Sequence, residues 1–145
     1  MTRTRAWLVL GLLVVVLMTA AAPPAQALGR GGRMFRIVNR VRVHHDLRPL
    51  VKDRDLSRDA RHHSRKMAEG RTLYHSTDLA SRASAFDAGS WGENVAQAGT
   101  LKRACRLWMR SADHRRNILK GSFDHVGVGV VRSHGWLWIT FDFFG

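Results

Sequence analysis

Apolar residues first fall into a helical rhythm at Phe35, Val38 and Val41, with Ile37 beside them and Arg36, Arg40 and Arg42 between. The spacing predicts an amphipathic helix from Met34 to about His45, its arginines turned mainly outward. Leu47-Arg48-Pro49-Leu50 breaks it. Leu56, Ala60, His63 and Met67 then fall at i, i+4, i+7 and i+11, one stripe of a second helix. Asp53 and Asp55 are candidates to cap its start, and Gly70 is a natural stop. A short helix over Asp78 to Phe86, a loop over Ala88 to Trp91 and a short strand over Gly92 to Ala96 follow. Thr100 caps a further helix whose Leu101, Ala104, Cys105 and Trp108 share a face, and Ser111 caps another that carries Ile118 and Leu119 inward and closes at Gly121.

After Phe123 the period changes from about 3.6 to two. Val126, Val128 and Val130 take one side of a strand, while Gly127 and Gly129 keep the other side low. Ser133-His134-Gly135 reads as a hairpin turn, and Trp136 to Phe143 as the return strand. Trp136, Trp138, Phe141 and Phe143 are expected to pack in the core. The elements predict an α+β domain ending in an antiparallel pair covered by helices.

The N-terminus changes the compartment. Arg3 and Arg5 precede an uncharged run from Ala6 to Ala22, then Pro23-Pro24 and Ala25-Gln26-Ala27. This is the three-part pattern of a secretory signal peptide, with cleavage expected after Ala27. The alternative is an uncleaved anchor, because the run is at the lower limit of a membrane span. Either way the domain is expected outside the cytoplasm. Residues 28–33, with three glycines and two arginines, read as a flexible lead-in, and the domain is expected over 34–145.

The 145 residues hold 24 Lys+Arg against 11 Asp+Glu, a formal net charge of +13. Signal cleavage removes only two arginines, so the folded part carries 22 cations, 11 acids and +11. Anionic envelope polymers or lipids are the partners this charge suggests, whereas no nucleic-acid-binding motif is visible. Cys105 is the single cysteine, which excludes an intramolecular disulfide framework and a multi-cysteine zinc cluster. Any metal site must use His and carboxylate. His62 and His63 are neighbours on a helix and point about 100° apart, so His63 is read as a core histidine with a hydrogen-bond partner. His114, near a helix N-terminus, is expected to be held neutral by the helix dipole.

Six blocks in order carry a resemblance. They are Val38-Asn39-x-x-Arg42 with Leu47-x-Pro49-Leu50; Leu56-x-x-x-Ala60-x-x-His63-x-x-x-Met67; Tyr74-His75; Gly92-Glu93-Asn94-Val95; Trp108-Met109-x-Ser111-x-x-His114-Arg115-x-Asn117-Ile118-Leu119; and Gly127-Val128-Gly129. From about Phe35 to Phe144 the chain resembles the CAP superfamily of cysteine-rich secretory, antigen 5 and pathogenesis-related proteins, in its short bacterial secreted branch. The resemblance implies an α-β-α sandwich with a central antiparallel sheet between helical layers. It also implies a cleft with two histidines, His75 and His114, and a glutamate, Glu93. The family's second glutamate is absent, since Trp108-Met109-Arg110-Ser111 stands where many members have W-Y-x-E.

Two imidazoles with a carboxylate nearby can hold a divalent cation, zinc or magnesium, with positions left to water, and no organic cofactor is indicated. His75, His114 and Glu93 are therefore the candidate metal ligands. Ser111, Asn94 and Trp91 are expected to line the same cleft. Glu93 has two other readings: a group that fixes a histidine's tautomer, or the base of a metal-assisted hydrolase acting on extracellular or envelope substrates. A serine hydrolase built from Ser111, His114 and Glu93 is disfavoured. N-capping accounts for Ser111, and neither a G-x-S-x-G elbow nor an H-E-x-x-H helix occurs.

Overall fold

The computed structural model describes residues 29–145; the leader reading of residues 1–27 lies outside them. The elements are α1 (Arg30–His44), β1 (Val51–Lys52), α2 (Arg54–Gly70), α3 (Leu79–Ala85), β2 (Trp91–Ala98), α4 (Leu101–Arg110), α5 (Ala112–Leu119), β3 (His125–Ser133) and β4 (Trp136–Phe144). They form one four-stranded sheet in the order β1-β3-β4-β2. The three long strands are antiparallel, as expected. The two-residue β1 adds a parallel edge beside β3, so the sheet is mixed.

Helices cover both faces of this sheet. Phe141, Phe143, Ile139 and Leu137 of β4 join Val126 and Val128 of β3 in a core closed by Met34 and Val38 of α1, Cys105 and Trp108 of α4 and Ile118 of α5. The alternate residues of β4 face α2 and α3. Trp138 packs with Met67 and Ala68, Phe144 with Leu56, Leu79 and Ala83. Because β4 is central and covered on both sides, its sequence is nearly unbroken in apolar residues. The glycines of β3 set the height of α2. A Cβ at Gly127 would come within 2.5 Å of the Leu56 carbonyl oxygen, and one at Gly129 would collide with Ala60.

Caps and turns follow the sequence closely. Asp53 accepts a hydrogen bond from the Leu56 amide and Thr100 from the Arg103 amide, satisfying free N–H groups at the starts of α2 and α4. The hairpin has positive φ at His134 (48°) and Gly135 (81°), the two-residue turn that matches strand twist. Cys105 is buried, and burial pushes its thiol pKa up, as suits a packing residue.

The structure departs from the sequence expectation at four places. Helix α1 begins at Arg30, inside the stretch read as a flexible lead-in; Gly31 lies against Val128 of β3, where a Cβ would meet its carbonyl oxygen at 3.5 Å. Arg42 points inward and is fully buried, because it stands four residues after Val38 on the Met34–Val38 stripe. Its guanidinium donates to the carbonyls of Arg48, Ile118, Lys120 and Phe123 at 2.8–3.0 Å, so it ties α1 to the end of α5. Helix α2 does stop at Gly70, and the left-handed residue that follows it is Arg71 (φ 50°). Trp136 is 47% exposed, beside the turn of the hairpin rather than in the core. Ser111 occupies the N-cap of α5 without a capping bond from its side chain.

Candidate functional site

The site is built where β2, the edge strand, meets α5 on one side and the segment before α3 on the other. Each residue of Gly92-Glu93-Asn94 has a different task. Gly92 leaves room for Asn117 of α5, whose Oδ1 would lie 2.8 Å from a Cβ at position 92. Asn117 Nδ2 donates to the Glu93 carbonyl at 3.2 Å and to Asn94 Oδ1 at 3.0 Å. Fully buried Asn94 donates in turn to the His114 carbonyl at 2.9 Å. Two asparagines thus dock the first turns of α5 on the open edge of β2 and fix the backbone that carries His114. Asn94 is a framework residue, not part of a cleft wall.

Glu93 turns to the opposite face of the sheet, under α2 and α3. Its Oε1 accepts from His75 Nδ1 at 2.7 Å and from the Ser76 amide at 2.9 Å; its Oε2 accepts from the Ser76 hydroxyl at 2.6 Å. His63 is buried as expected. Its Nε2 donates to the Tyr74 carbonyl at 2.9 Å, its ring meets Tyr74 edge-on at 4.9 Å, and it stands 3.9 Å from Glu93 Oε2. One core histidine therefore holds Tyr74 so that His75 and Ser76 close over Glu93. Burial alone would raise the Glu93 pKa; the two bonds from Ser76, the bond from His75 and the nearness of His63 outweigh it and hold the carboxyl below its ordinary value.

The two candidate imidazoles come together. Their ring centroids are 6.4 Å apart with planes inclined by 28°. His75 has 61% of its side chain exposed, while His114 is half-buried. Each is held through Nδ1, His75 by Glu93 and His114 by the Ser111 hydroxyl at 2.9 Å. Neither Nε2 has a hydrogen-bond partner among the described residues. His114 has a lowered pKa, as the sequence suggests, but burial is the main cause and neighbouring His75 the next, against a smaller opposing effect of Asp113. Trp91 stands exposed at the start of β2 and makes no hydrogen bond to the pair.

Glu93 has both oxygens occupied by Ser76 and His75, and among the described residues no group of three His, Cys, Asp or Glu side chains is placed to hold one ion. Its position is that of a residue fixing the His75 tautomer. The residues of a serine hydrolase are likewise divided, since Ser111 bonds His114 while Glu93 bonds the other histidine. Asp142 and Arg82 are the members of the surroundings that the sequence reading missed. Asp142 lies opposite Glu93 in the β2–β4 register, is fully buried, and accepts from Arg82 at 2.6 Å. An isolated acid in an aromatic strand is the signal that marks it.

With this geometry in place, similarity to known proteins decides the family. The pattern of the cysteine-rich secretory protein family, CAP, matches residues 35–143. The chain belongs to the CAP family. This CAP domain is 32% identical over 136 residues to the uncharacterized protein YkwD of Bacillus subtilis strain 168, covering 88% of this chain and 51% of that protein. The chain thus spans about half the length of that curated relative. An extracellular protein with an SCP domain from Bacillus anthracis superposes with a TM-score of 0.68 at 27% identity, over 79% of this chain and 40% of that one. NaASP2, solved with Zn2+, shares the fold at a TM-score of 0.61 and 11% identity, over 85% and 83% of the two chains.

Proposed function

We propose that this CAP domain is exported and binds a divalent cation, zinc in preference to magnesium, between His75 and His114. The observation that carries the reading is the stacked pair itself: two imidazoles side by side, His75 donating through Nδ1 to a carboxylate and His114 tied through Nδ1 to a hydroxyl able to accept its proton, with each Nε2 left open. A histidine whose Nδ1–H is held by a carboxylate or hydroxyl is oriented as metal-binding histidines are, and imidazole nitrogen favours zinc over magnesium. The lowered pKa of His114 supports the reading by keeping that ring neutral. NaASP2 was solved with Zn2+, which supports a cation within this fold. A bound zinc would supply Lewis acidity and acidify a coordinated water.

The chain's own residues do the positioning. Glu93 and Ser76 hold His75, Ser111 holds the His114 ring, and Asn94 with Asn117 holds the His114 backbone. With two protein ligands and no third within the described residues, the site is an open one that leaves room for water or a ligand donor. Export rests on the Met1–Ala27 pattern, and the extracellular Bacillus anthracis relative supports it. No helix among the described residues is long and apolar enough to cross a membrane.

Calorimetric titration of metal-stripped protein with zinc and with magnesium tests the site. Stoichiometric zinc binding is expected, lost in His75→Ala/His114→Ala and weakened roughly 10–100-fold in Glu93→Gln. Wild-type zinc affinity no higher than that of the double variant would overturn the reading.

A further inference from the structure

A large concavity lies on the other side of the sheet from Glu93 and at its other end. It is a groove of about 970 Å³ between α1, the start of α4 and the β3–β4 hairpin. Leu137, on its floor, pairs with Ala98, five rungs from the Glu93–Asp142 pair, or about 17 Å along the strand. The site of the imidazoles and this groove are therefore separate.

Its charge is one-signed. Arg30, Arg33, Arg36 and Arg40 stand along α1 on one bank, Lys102 and Arg132 on the other, and no acidic residue lines it. All six are exposed, and none forms an ion pair or a side-chain hydrogen bond among the described residues. Elsewhere in the domain Arg58, Arg82 and Arg116 are paired with Asp55, Asp78 and Asp113. Like charges gathered around a low-dielectric hollow repel one another and raise the local anion concentration. The floor, by contrast, is apolar: Ile37, Pro49, Leu101 and Leu137.

We propose that this groove binds a linear polyanion, a chain carrying phosphate groups at short regular intervals. Three features select that occupant. Arg30 to Arg40 extend over about 15 Å of helix, which a single anion cannot neutralise but successive charges on a chain can. Guanidinium groups grip phosphate oxygens in pairs. The cations face each other from two banks, so an anion inside is held from both sides, whereas a flat lipid surface reaches only the rims.

The test uses inorganic polyphosphate, orthophosphate and vesicles of anionic lipid as probes, with two triple variants of equal charge loss. Arg33→Ser/Arg36→Ser/Arg40→Ser removes three of the four arginines on one bank of the groove; Arg54→Ser/Arg61→Ser/Arg65→Ser removes exposed arginines of α2, across the sheet. Wild type and the α2 variant are expected to bind polyphosphate far more tightly than orthophosphate. The α1 variant should bind it at least tenfold more weakly, with a salt dependence shallower by about 0.7 for each phosphate that is no longer neutralised. Lys102→Ser/Arg132→Ser, from the facing bank, should weaken binding in the same direction. Melting curves confirm that the variants are folded. Equal weakening in both triple variants would show attraction to net charge alone, and vesicle binding without polyphosphate binding would show a membrane surface; either result overturns the proposal.

Discussion

Glu93 and Asp142 stand directly opposite each other on β2 and β4, two carboxyl groups on the same buried face of the sheet. They divide the titration between them. Glu93 is held below its ordinary pKa by Ser76 and the histidines. Burial and the nearby Glu93 charge push Asp142 up, to about 8, against the attraction of Arg82. Two acids so close cannot both ionise at low cost, and the directions of the two shifts make Asp142 the one that holds its proton longer. Asp142 Oδ1 has no hydrogen-bond partner among the described residues unless it carries that proton and donates it to Glu93.

The consequence for stability has a definite sign. A carboxyl whose folded pKa exceeds its unfolded value binds more protons when folded, so its contribution is full below about pH 4 and is lost as pH rises through about 8. Thermal melts of the wild type should fall by roughly 4 °C or more between pH 6 and pH 9. Asp142→Asn, which keeps the neutral shape, should flatten that slope. A wild-type melting temperature constant over the range would show Asp142 ionised throughout.

Asn117 holds α5 on the sheet edge only because position 92 has no side chain. Gly92→Ala places a methyl against its amide, 2.8 Å from Oδ1. Asn117 then has to leave the Glu93 carbonyl and Asn94. A destabilisation of about 1–3 kcal/mol is expected in urea unfolding, together with weaker zinc binding, since the backbone carrying His114 loses its register. Asn117→Ala should weaken zinc in the same direction. Unchanged affinity in both would separate the edge hydrogen bonds from the placement of His114.

Arg42 is a buried cation with no carboxylate beside it among the described residues. Burial lowers its pKa, and four main-chain carbonyls serve as its partners. Arg42→Met keeps much of the length but leaves buried carbonyls at the end of α5 without donors. A destabilisation of about 3–5 kcal/mol is expected, measured by chemical unfolding. Arg42→Lys, with one donor nitrogen in place of three, should recover only part of it. A near-neutral Arg42→Met would mean that those carbonyls find water.

Periodicity and turn chemistry in the sequence were enough for the helices, the β3–β4 hairpin and the reason for Gly127 and Gly129. These are short-range properties: a stripe at 3.6 residues, a run at period two, a cap three residues from its partner. Charge type was a poorer guide than position. Arg42 sits on the buried stripe that Met34 and Val38 define, yet its charge suggests an outward place, because the carbonyls that satisfy it come from residues 48, 118, 120 and 123. The same limit hides β1, whose two residues are a strand only through β3.

For the site, residue types and their order along the chain were enough to nominate candidates: His75, Glu93, His114 and Ser111 are legible in a family order. How they are coupled came from the packing. It pairs Glu93 with His75 and Ser111 with His114, closes Glu93 with Ser76 and His63, and sets Asp142 opposite it. The reason is physical. A residue's chemistry is local, but its proton, tautomer and partner depend on burial and on neighbours that only sheet register and helix docking bring within hydrogen-bonding reach.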